Sequence, residues 1–127
     1  VEFRDNQAIY VQIADLMCEN VLSGSWKPGQ RIPSIRETAE ASQVNPNTVT
    51  RTYGFLEEKG IIRNQRGVGF FLSDEAYEIT RRLKRESFER RDLPRMFRTM
   101  ELLSIGIDDL QGMYEAQRGA SGKENTL

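Results

Sequence analysis

The chain has 127 residues, 38% of them hydrophobic, and a formal net charge of −1; that length holds one domain or two small ones. No run approaches the ~18 uninterrupted apolar residues of a membrane span, and the acidic-rich start does not resemble a signal peptide, so a soluble cytoplasmic protein is expected. Cys18 is the sole cysteine and histidine is absent, which excludes an intramolecular disulfide, a structural zinc site and histidine-based acid–base catalysis, and leaves no catalytic residue, metal or cofactor to expect.

Helix 1 is expected from Gln7 to Ser23, because Ile9, Ile13, Leu16, Met17 and Val21 recur at helical spacing and Gly24 is a plausible stop. Cys18 falls inside this amphipathic pattern and reads as a small core residue. Trp26-Lys27-Pro28-Gly29-Gln30 is a turn, after which Arg31-Ile32-Pro33 can pair briefly as a strand. Ser34-Ile35-Arg36-Glu37 has the S-x-x-E form of a capping box, so helix 2 starts at Ser34 and runs to about Ala41. After the short turn Ser42-Gln43-Val44, helix 3 runs from Asn45 to about Lys59, with Asn45 as N-cap, Pro46 at the first helical position and Gly60 as the stop. Two helices so joined, the second with a polar leading end, make a helix-turn-helix. Ile61-Ile62-Arg63 and Val68-Gly69-Phe70-Phe71-Leu72, flanking the tip Asn64-Gln65-Arg66-Gly67, read as a β-hairpin, here a wing rather than an ordinary surface hairpin because it follows the helix-turn-helix directly.

From Ser73 the pattern turns helical and strongly charged. Helix 4 is expected over about Asp74 to Arg90, with Ala76, Ile79 and Leu83 on one face. The run Arg81-Arg82-Leu83-Lys84-Arg85 reads as a solvated face with Glu78, Glu86 and Glu89 as partners one turn away, flanking DNA contact being the competing reading. Asp92-Leu93-Pro94 reads as the next helix start, followed by an apolar stripe of Leu93, Met96, Phe97, Met100 and Leu103 and a stop at Gly106. Asp108 then caps a last short helix carrying Leu110, Met113 and Tyr114. The expected organisation is an α+β, mostly α, chain: a winged helix-turn-helix over residues 1–73, an all-helical region over 74–118, and a small, polar, frayed tail over 119–127. Some 45 helical residues cannot bury those stripes alone. Leu93, Met96, Phe97, Met100, Leu103, Leu110, Met113 and Tyr114 are therefore assigned to dimerisation, the competing reading being that they pack back on the N-terminal domain.

The charge balance needs a local reading. Residues 1–73 hold eight basic and eight acidic side chains, but six of the bases lie between Arg31 and Arg66, and it is a patch that meets phosphate, whereas the sum governs solubility. Within that stretch Asn47 and Arg51 are the best candidates for base edges, since Asn pairs with adenine and Arg with guanine in a bidentate way. Thr48 and Thr50 support them, and Asn45 fits a cap better than a reader. Arg36 is placed to reach a guanine or a phosphate, and Ser34 marks a helix N-terminus whose N–H groups can hold a phosphate oxygen. Gln65, Arg66 and Gly67 form the wing tip at the minor groove. Arg31 and Arg63 fit backbone contacts, although Arg63 could equally pair with Glu57 or Glu58.

These residues resemble the GntR family of bacterial transcription regulators, and within it the YtrA-like subgroup. The resemblance covers residues 8–72 and rests on Ile9-Tyr10-x-Gln12-Ile13, Gly24-x-Trp26-x-Pro28-Gly29-x-x-Ile32-Pro33-Ser34-x-Arg36, Val44-Asn45-Pro46-Asn47-Thr48-Val49-x-Arg51, Leu56-Glu57-x-x-Gly60 and Gly67-x-Gly69. The family motif places its helix 2 arginine on Arg36, its polar recognition turn on Asn45, Asn47 and Thr48, and its wing glycines on Gly67 and Gly69. Two departures stand out: Phe70 replaces the usual threonine after the second wing glycine, and Thr50 stands where many relatives carry a basic residue. The short helical C-terminal region also fits the subgroup, whose members commonly lie beside membrane-transporter genes.

The expected function is a sequence-specific homodimeric repressor, with two copies of helix 3 in successive major grooves ~34 Å apart on a palindromic operator. A small-molecule effector, if there is one, would use a groove lined by Met96, Met100, Met113 and Tyr114, which otherwise reads as simple core. The alternative is a winged helix used for protein–protein contact without sequence-specific DNA binding. A small enzyme built on Asp108 and Asp109 is disfavoured, because adjacent helical residues point apart.

Overall fold

The structure, a computed structural model, describes residues 7–124. The order of elements is α1 (Ile9–Leu22), α2 (Ile35–Ser42), α3 (Pro46–Glu58), β1 (Ile62–Gln65), β2 (Gly69–Leu72), α4 (Ala76–Ser87), a π-helical segment (Phe88–Asp92), α5 (Leu93–Leu103) and α6 (Ile107–Glu124). They form two compact units, residues 1–85 and 86–127. No helix among the described residues is long and apolar enough to cross a membrane.

In the first unit the local signals act as read. Ser34 Oγ accepts from the Glu37 N–H (3.0 Å) while the Ser34 N–H donates to Glu37 Oε1 (3.2 Å), a complete capping box at the start of α2. The chain leaves α2 through Gln43 in a left-handed conformation (φ 57°), and the Val44 N–H reaches back to the Ala39 carbonyl (3.1 Å). This 6→1 bond closes the tight turn between the two helices. Asn45 Oδ1 then accepts from the Asn47 N–H (2.8 Å), and α3 begins on Pro46. α1 and α3 end at glycines of positive φ, Gly24 (81°) and Gly60 (83°).

β1 and β2 pair antiparallel with Ile62 opposite Leu72 and Gln65 opposite Gly69, so Asn64 and Gln65 extend the strand and the tip shortens to Arg66-Gly67-Val68. Arg31 forms a bridge with Phe71, and the Ile32 N–H donates to the Phe70 carbonyl (3.0 Å); the segment before α2 thus pairs briefly with β2, as its sequence suggests, without adding a strand to the two-stranded sheet. Beneath the hairpin lies one core, in which Ile13, Met17 and Val21 of α1 meet Val49, Tyr53 and Leu56 of α3 and Ile61, Ile62 and Leu72 of the wing. Cys18 is buried in it. Burial pushes its thiol pKa up, with Lys84 opposing the shift, so the thiol stays protonated and unreactive.

The boundary between the units falls later than Ser73. Ala76 and Thr80 are fully buried, Ile79 and Leu83 pack on the winged-helix core, and Lys84 pairs with Asp15 of α1. The first turns of α4 therefore belong to the N-terminal unit, because their apolar face completes its core. Within that face Thr80 Oγ1 is buried and has no hydrogen-bond partner among the described residues. An unsatisfied buried hydroxyl costs ~1–3 kcal/mol. Thr80→Val keeps the shape without that cost and is expected to raise stability by ~1 kcal/mol, measurable as a higher midpoint in urea; a lower midpoint would mean that the hydroxyl has a partner.

In the second unit the structure corrects four readings. α5 begins at Leu93 as read, but not as a fresh helix start: the Asp92 backbone before it is already helical (φ −78°, ψ −43°) and the Asp92 side chain caps nothing. The chain passes from the π-helical segment directly into α5, with the Leu93 N–H bonded to the Phe88 carbonyl, five residues back. Pro94 lacks an N–H, and its ring would clash with the carbonyl four residues earlier in a regular helix; a π turn just before it takes up that misfit, so the helix need not restart. α5 ends at Ser104, not Gly106. Ser104 is left-handed (φ 56°) and the Ile105 N–H closes on the Met100 carbonyl (2.9 Å). The cap of α6 comes from Asp109 rather than Asp108, Asp109 Oδ2 accepting from the Gly106 N–H (3.0 Å). Lastly, α6 has 18 residues and continues through Glu124, so the segment from Gly119 is helical where a frayed tail was expected. Propagating an established helix adds one hydrogen bond per residue, which offsets the ~1 kcal/mol cost of each glycine. Residues 125–127 of the expected tail lie outside the described residues.

Candidate nucleic-acid interface

The core face of α3 is set by Val49, Thr52, Tyr53 and Leu56, all buried. With 3.6 residues per turn, that leaves Asn47, Thr50 and Arg51 on the opposite side, and all three are exposed, while Thr48 is half-buried at the edge. The part of the polar face that suits DNA is confined to the N-terminal half of the helix, since the carboxylates of Glu57 and Glu58 in its last turn would repel phosphate. Two side chains are already partly engaged. Asn45 is the cap described above, and Thr50 Oγ1 donates to the Pro46 carbonyl (2.9 Å).

Arg51 has a partner that its sequence neighbourhood does not reveal. Its guanidinium carbon lies 3.9 Å from the ring centroid of Tyr10 on α1. Such stacking is worth ~0.5–1 kcal/mol at exposed sites and leaves the in-plane N–H donors free. Tyr10 is gripped a second time, through its backbone: Thr52 Oγ1, fully buried, donates to the Tyr10 carbonyl (2.8 Å). The seam between α1 and α3 therefore sets where Arg51 stands.

Arg36 projects from the first turn of α2 with its side chain 89% exposed and a loose approach to Glu40 at 4.0 Å, a pairing of little energetic weight. The Ser34 hydroxyl is committed to the capping box. That box holds the Glu37 carboxyl below its usual pKa, first through the Ser34 backbone N–H and then through its hydroxyl. A depressed carboxylate pKa contributes stability above the ordinary value and loses it as pH falls through the folded one. Melting temperatures of the wild type and Glu37→Gln, which keeps the box without titrating, are expected to converge as pH falls from about 6 to about 3; a constant gap would deny the carboxylate this role.

Tyr53 ties the elements together. Its hydroxyl donates to the Pro33 carbonyl (2.6 Å) and lies 2.7 Å from Thr38 Oγ1, and its ring meets Phe70 edge-on at 4.9 Å. Phe70 thus serves packing where the family's threonine would offer a hydroxyl. In the wing, Arg63, Gln65, Arg66 and Gly67 are exposed, and Arg63 forms no ion pair with Glu57 or Glu58 among the described residues. Arg31 lies at the wing's base, its guanidinium against Gly69: a Cβ there would stand 3.0 Å from Arg31 Nε, and Gly69 has φ 146°. That conformation is essentially closed to other residues. Gly69→Ala is expected to cost ~1–3 kcal/mol in urea denaturation, and adding Arg31→Ala should not restore it, since the strain is in the backbone; full rescue would make the guanidinium contact the cause.

The residues assigned to dimerisation are unevenly covered. Met100 is buried (7% exposed) and Leu93, Met96 and Leu110 are half-buried, whereas Phe97, Leu103 (64%), Met113 and Tyr114 (61%) are open. Met96, Met100, Met113 and Tyr114 therefore do not form one sheltered lining within the described residues.

A capped helix-turn-helix with an exposed polar leading face, followed by a β-hairpin, defines a winged-helix DNA-binding protein. Residues 9–72 match the family of bacterial regulatory proteins known as the gntR family. The chain belongs to that family. It is 38% identical over 91 residues, 69% of its length, to the HTH-type transcriptional regulator YhcF of Bacillus subtilis, covering 75% of that protein. It is 43% identical over 76 residues to the HTH-type transcriptional repressor YtrA of the same organism, the match spanning 60% of the chain and 58% of YtrA. Its fold matches a GntR-family transcriptional regulator from Bacteroides thetaiotaomicron with a TM-score of 0.73 and 37% identity, over 89% of the chain and 99% of that structure. These likenesses are to regulators, not enzymes, and extend to a structure with a helical C-terminal region.

Proposed function

We propose that the protein is a homodimeric repressor that reads a palindromic operator with the N-terminal half of α3. The observation that carries this reading is the exposed row Asn47, Thr50 and Arg51 opposite the buried face of α3. Asn47 and Arg51 read base edges, Thr48 and Thr50 support them, and Asn45 orders the turn that presents them. Arg36 reaches a guanine or a phosphate beside the recognition helix, near the N-terminal turn that Ser34 caps. Arg66, Gln65 and Gly67 flank the minor groove, and Arg31 and Arg63 meet the backbone.

Dimerisation is supported by the apolar side chains left open on the second unit, Phe97, Leu103, Met113 and Tyr114. With Leu93, Met96, Met100 and Leu110 they form the surface a second copy would cover, and two-fold assembly matches a two-fold site. A dimer over a promoter excludes polymerase, and a relative is named a repressor; the subgroup resemblance extends the reading to transporter genes. The domain assignment follows: a DNA-reading N-terminal unit and a helical pairing unit in a cytoplasmic regulator.

The test is selection of bound fragments from the source genome with purified protein, repeated at rising salt. A palindromic consensus with a steep salt slope is the expected result. Retention that is weak and blind to sequence would favour a protein-binding winged helix.

A further inference from the structure

The charge of the chain is not where the winged helix would put it. Residues 1–73 balance eight bases against eight acids, yet residues 81–98 hold eight bases against three acids, a local net charge of +5 in a chain of −1. One of those bases, Lys84, is spent on Asp15. The rest include a feature of the second unit that ordinary solvation does not account for.

Arg91 at the end of the π-helical segment and Arg95 and Arg98 on α5 follow each other by four and three residues, so they share one helix face. All three are exposed, and none has a carboxylate at ion-pair distance among the described residues. On the other side of α5 run Leu93, Met96 and the buried Met100. A solvated helix face normally alternates charge sign, because opposite charges one turn apart stabilise and like charges destabilise. Here three like charges stack, and although Asp92 and Glu101 stand three residues from Arg95 and Arg98, neither reaches ion-pair distance, which makes a multivalent anion their natural complement. Guanidinium forks suit phosphate oxygens in particular. The three arginines span ~10 Å of helix axis at 1.5 Å per residue, a length over which one DNA strand presents about three phosphates.

We propose that Arg91, Arg95 and Arg98 form a second, sequence-independent contact with the phosphate backbone of duplex DNA, outside the winged helix. The proposal rests on the protein being a DNA binder and supplies what its winged helix lacks, an excess of positive charge. Recognition and electrostatic attraction are then divided between the two units: α3 discriminates bases, and the arginine stripe raises affinity for any duplex.

The experiment compares the wild-type chain with Arg91→Gln/Arg95→Gln/Arg98→Gln and with the charge-keeping Arg91→Lys/Arg95→Lys/Arg98→Lys. Binding to the selected operator and to a random duplex is measured over a range of salt, with circular dichroism and sedimentation as controls for fold and assembly. The glutamine variant should bind both duplexes more weakly and keep the ratio between them. Its plot of log affinity against log salt should be shallower by about 0.9 per lost phosphate contact, so about 2–3 per chain. The lysine variant should retain the wild-type slope. An unchanged slope in the glutamine variant overturns the proposal. So does loss of self-association in that variant, which would place the stripe between copies, and so does poly-glutamate competing as well as DNA, which would point to an acidic protein. A wild type that binds no duplex at any salt would instead refute the DNA-binding reading beneath it, while loss of discrimination with the slope intact belongs to α3.

Discussion

Tyr53→Ala is expected to remove a large fraction of the stability of the winged helix, at a cost of ~3–5 kcal/mol from a total that for such domains is ~5–15 kcal/mol. The ring is 1% exposed, so its removal leaves a cavity bounded by elements that cannot collapse together. The edge-on contact with Phe70 at 4.9 Å, one of the contacts between α3 and β2, is lost. The hydroxyl matters separately. It donates to the Pro33 carbonyl at 2.6 Å and approaches Thr38 Oγ1 at 2.7 Å, tying α3 to the segment before α2 and to α2 itself. Tyr53→Phe keeps the ring and should cost ~1–2 kcal/mol. Burial pushes the Tyr53 phenol pKa up, with the hydrogen bond from Thr38 opposing, so the hydroxyl stays protonated through neutral pH. Urea denaturation of both variants measures the two contributions. A midpoint for Tyr53→Ala within error of the wild type would show that the helix-turn-helix and the wing are held together elsewhere.

Arg51→Ala should cost ~1–3 kcal/mol of operator binding and relax discrimination at one base pair, whereas Arg66→Ala should weaken all sequences alike. The structure adds a second residue to that test. Tyr10 supports the Arg51 guanidinium at 3.9 Å, so Tyr10→Leu, which keeps an apolar side chain but no π face, should lose roughly two- to five-fold in operator affinity, the equivalent of ~0.5–1 kcal/mol. The Thr52 bond to the Tyr10 backbone survives that change, so the melting temperature should move little. In an Arg51→Ala background Tyr10→Leu should have no further effect on binding, because the pair acts as one. Additive losses would mean that Tyr10 touches DNA by itself, and equal losses on operator and random duplex would remove Arg51 from base reading.

Much of the DNA-reading unit was legible because its signals are local. The Ser34–Glu37 capping box and the Asn45 cap on the Asn47 N–H each join residues no more than three positions apart, and the turn at Gln43 closes between Ala39 of α2 and Val44, two residues past its end. The apolar positions of α1 and α3 also point where their periodicity puts them. The same kind of local reading failed in the second unit. Asp92-Leu93-Pro94 has the composition of a helix start, yet a π turn carries the helix through it; Gly106 has the look of a stop, yet Ser104 takes the left-handed position first. In each case the residue type fits more than one backbone path, and the neighbouring turns decide between them.

The sequence alone determined the winged helix-turn-helix, its caps and the polar leading face of α3, because spacing within a few residues encodes each of them. Only the tertiary structure decided that Tyr10 stands under Arg51, that the Arg31 guanidinium covers Gly69, that Phe70 packs on Tyr53, and that the start of α4 belongs to the first core. Those pairings join residues far apart along the chain. They follow from which faces the elements bury against each other, a property that no local spacing carries.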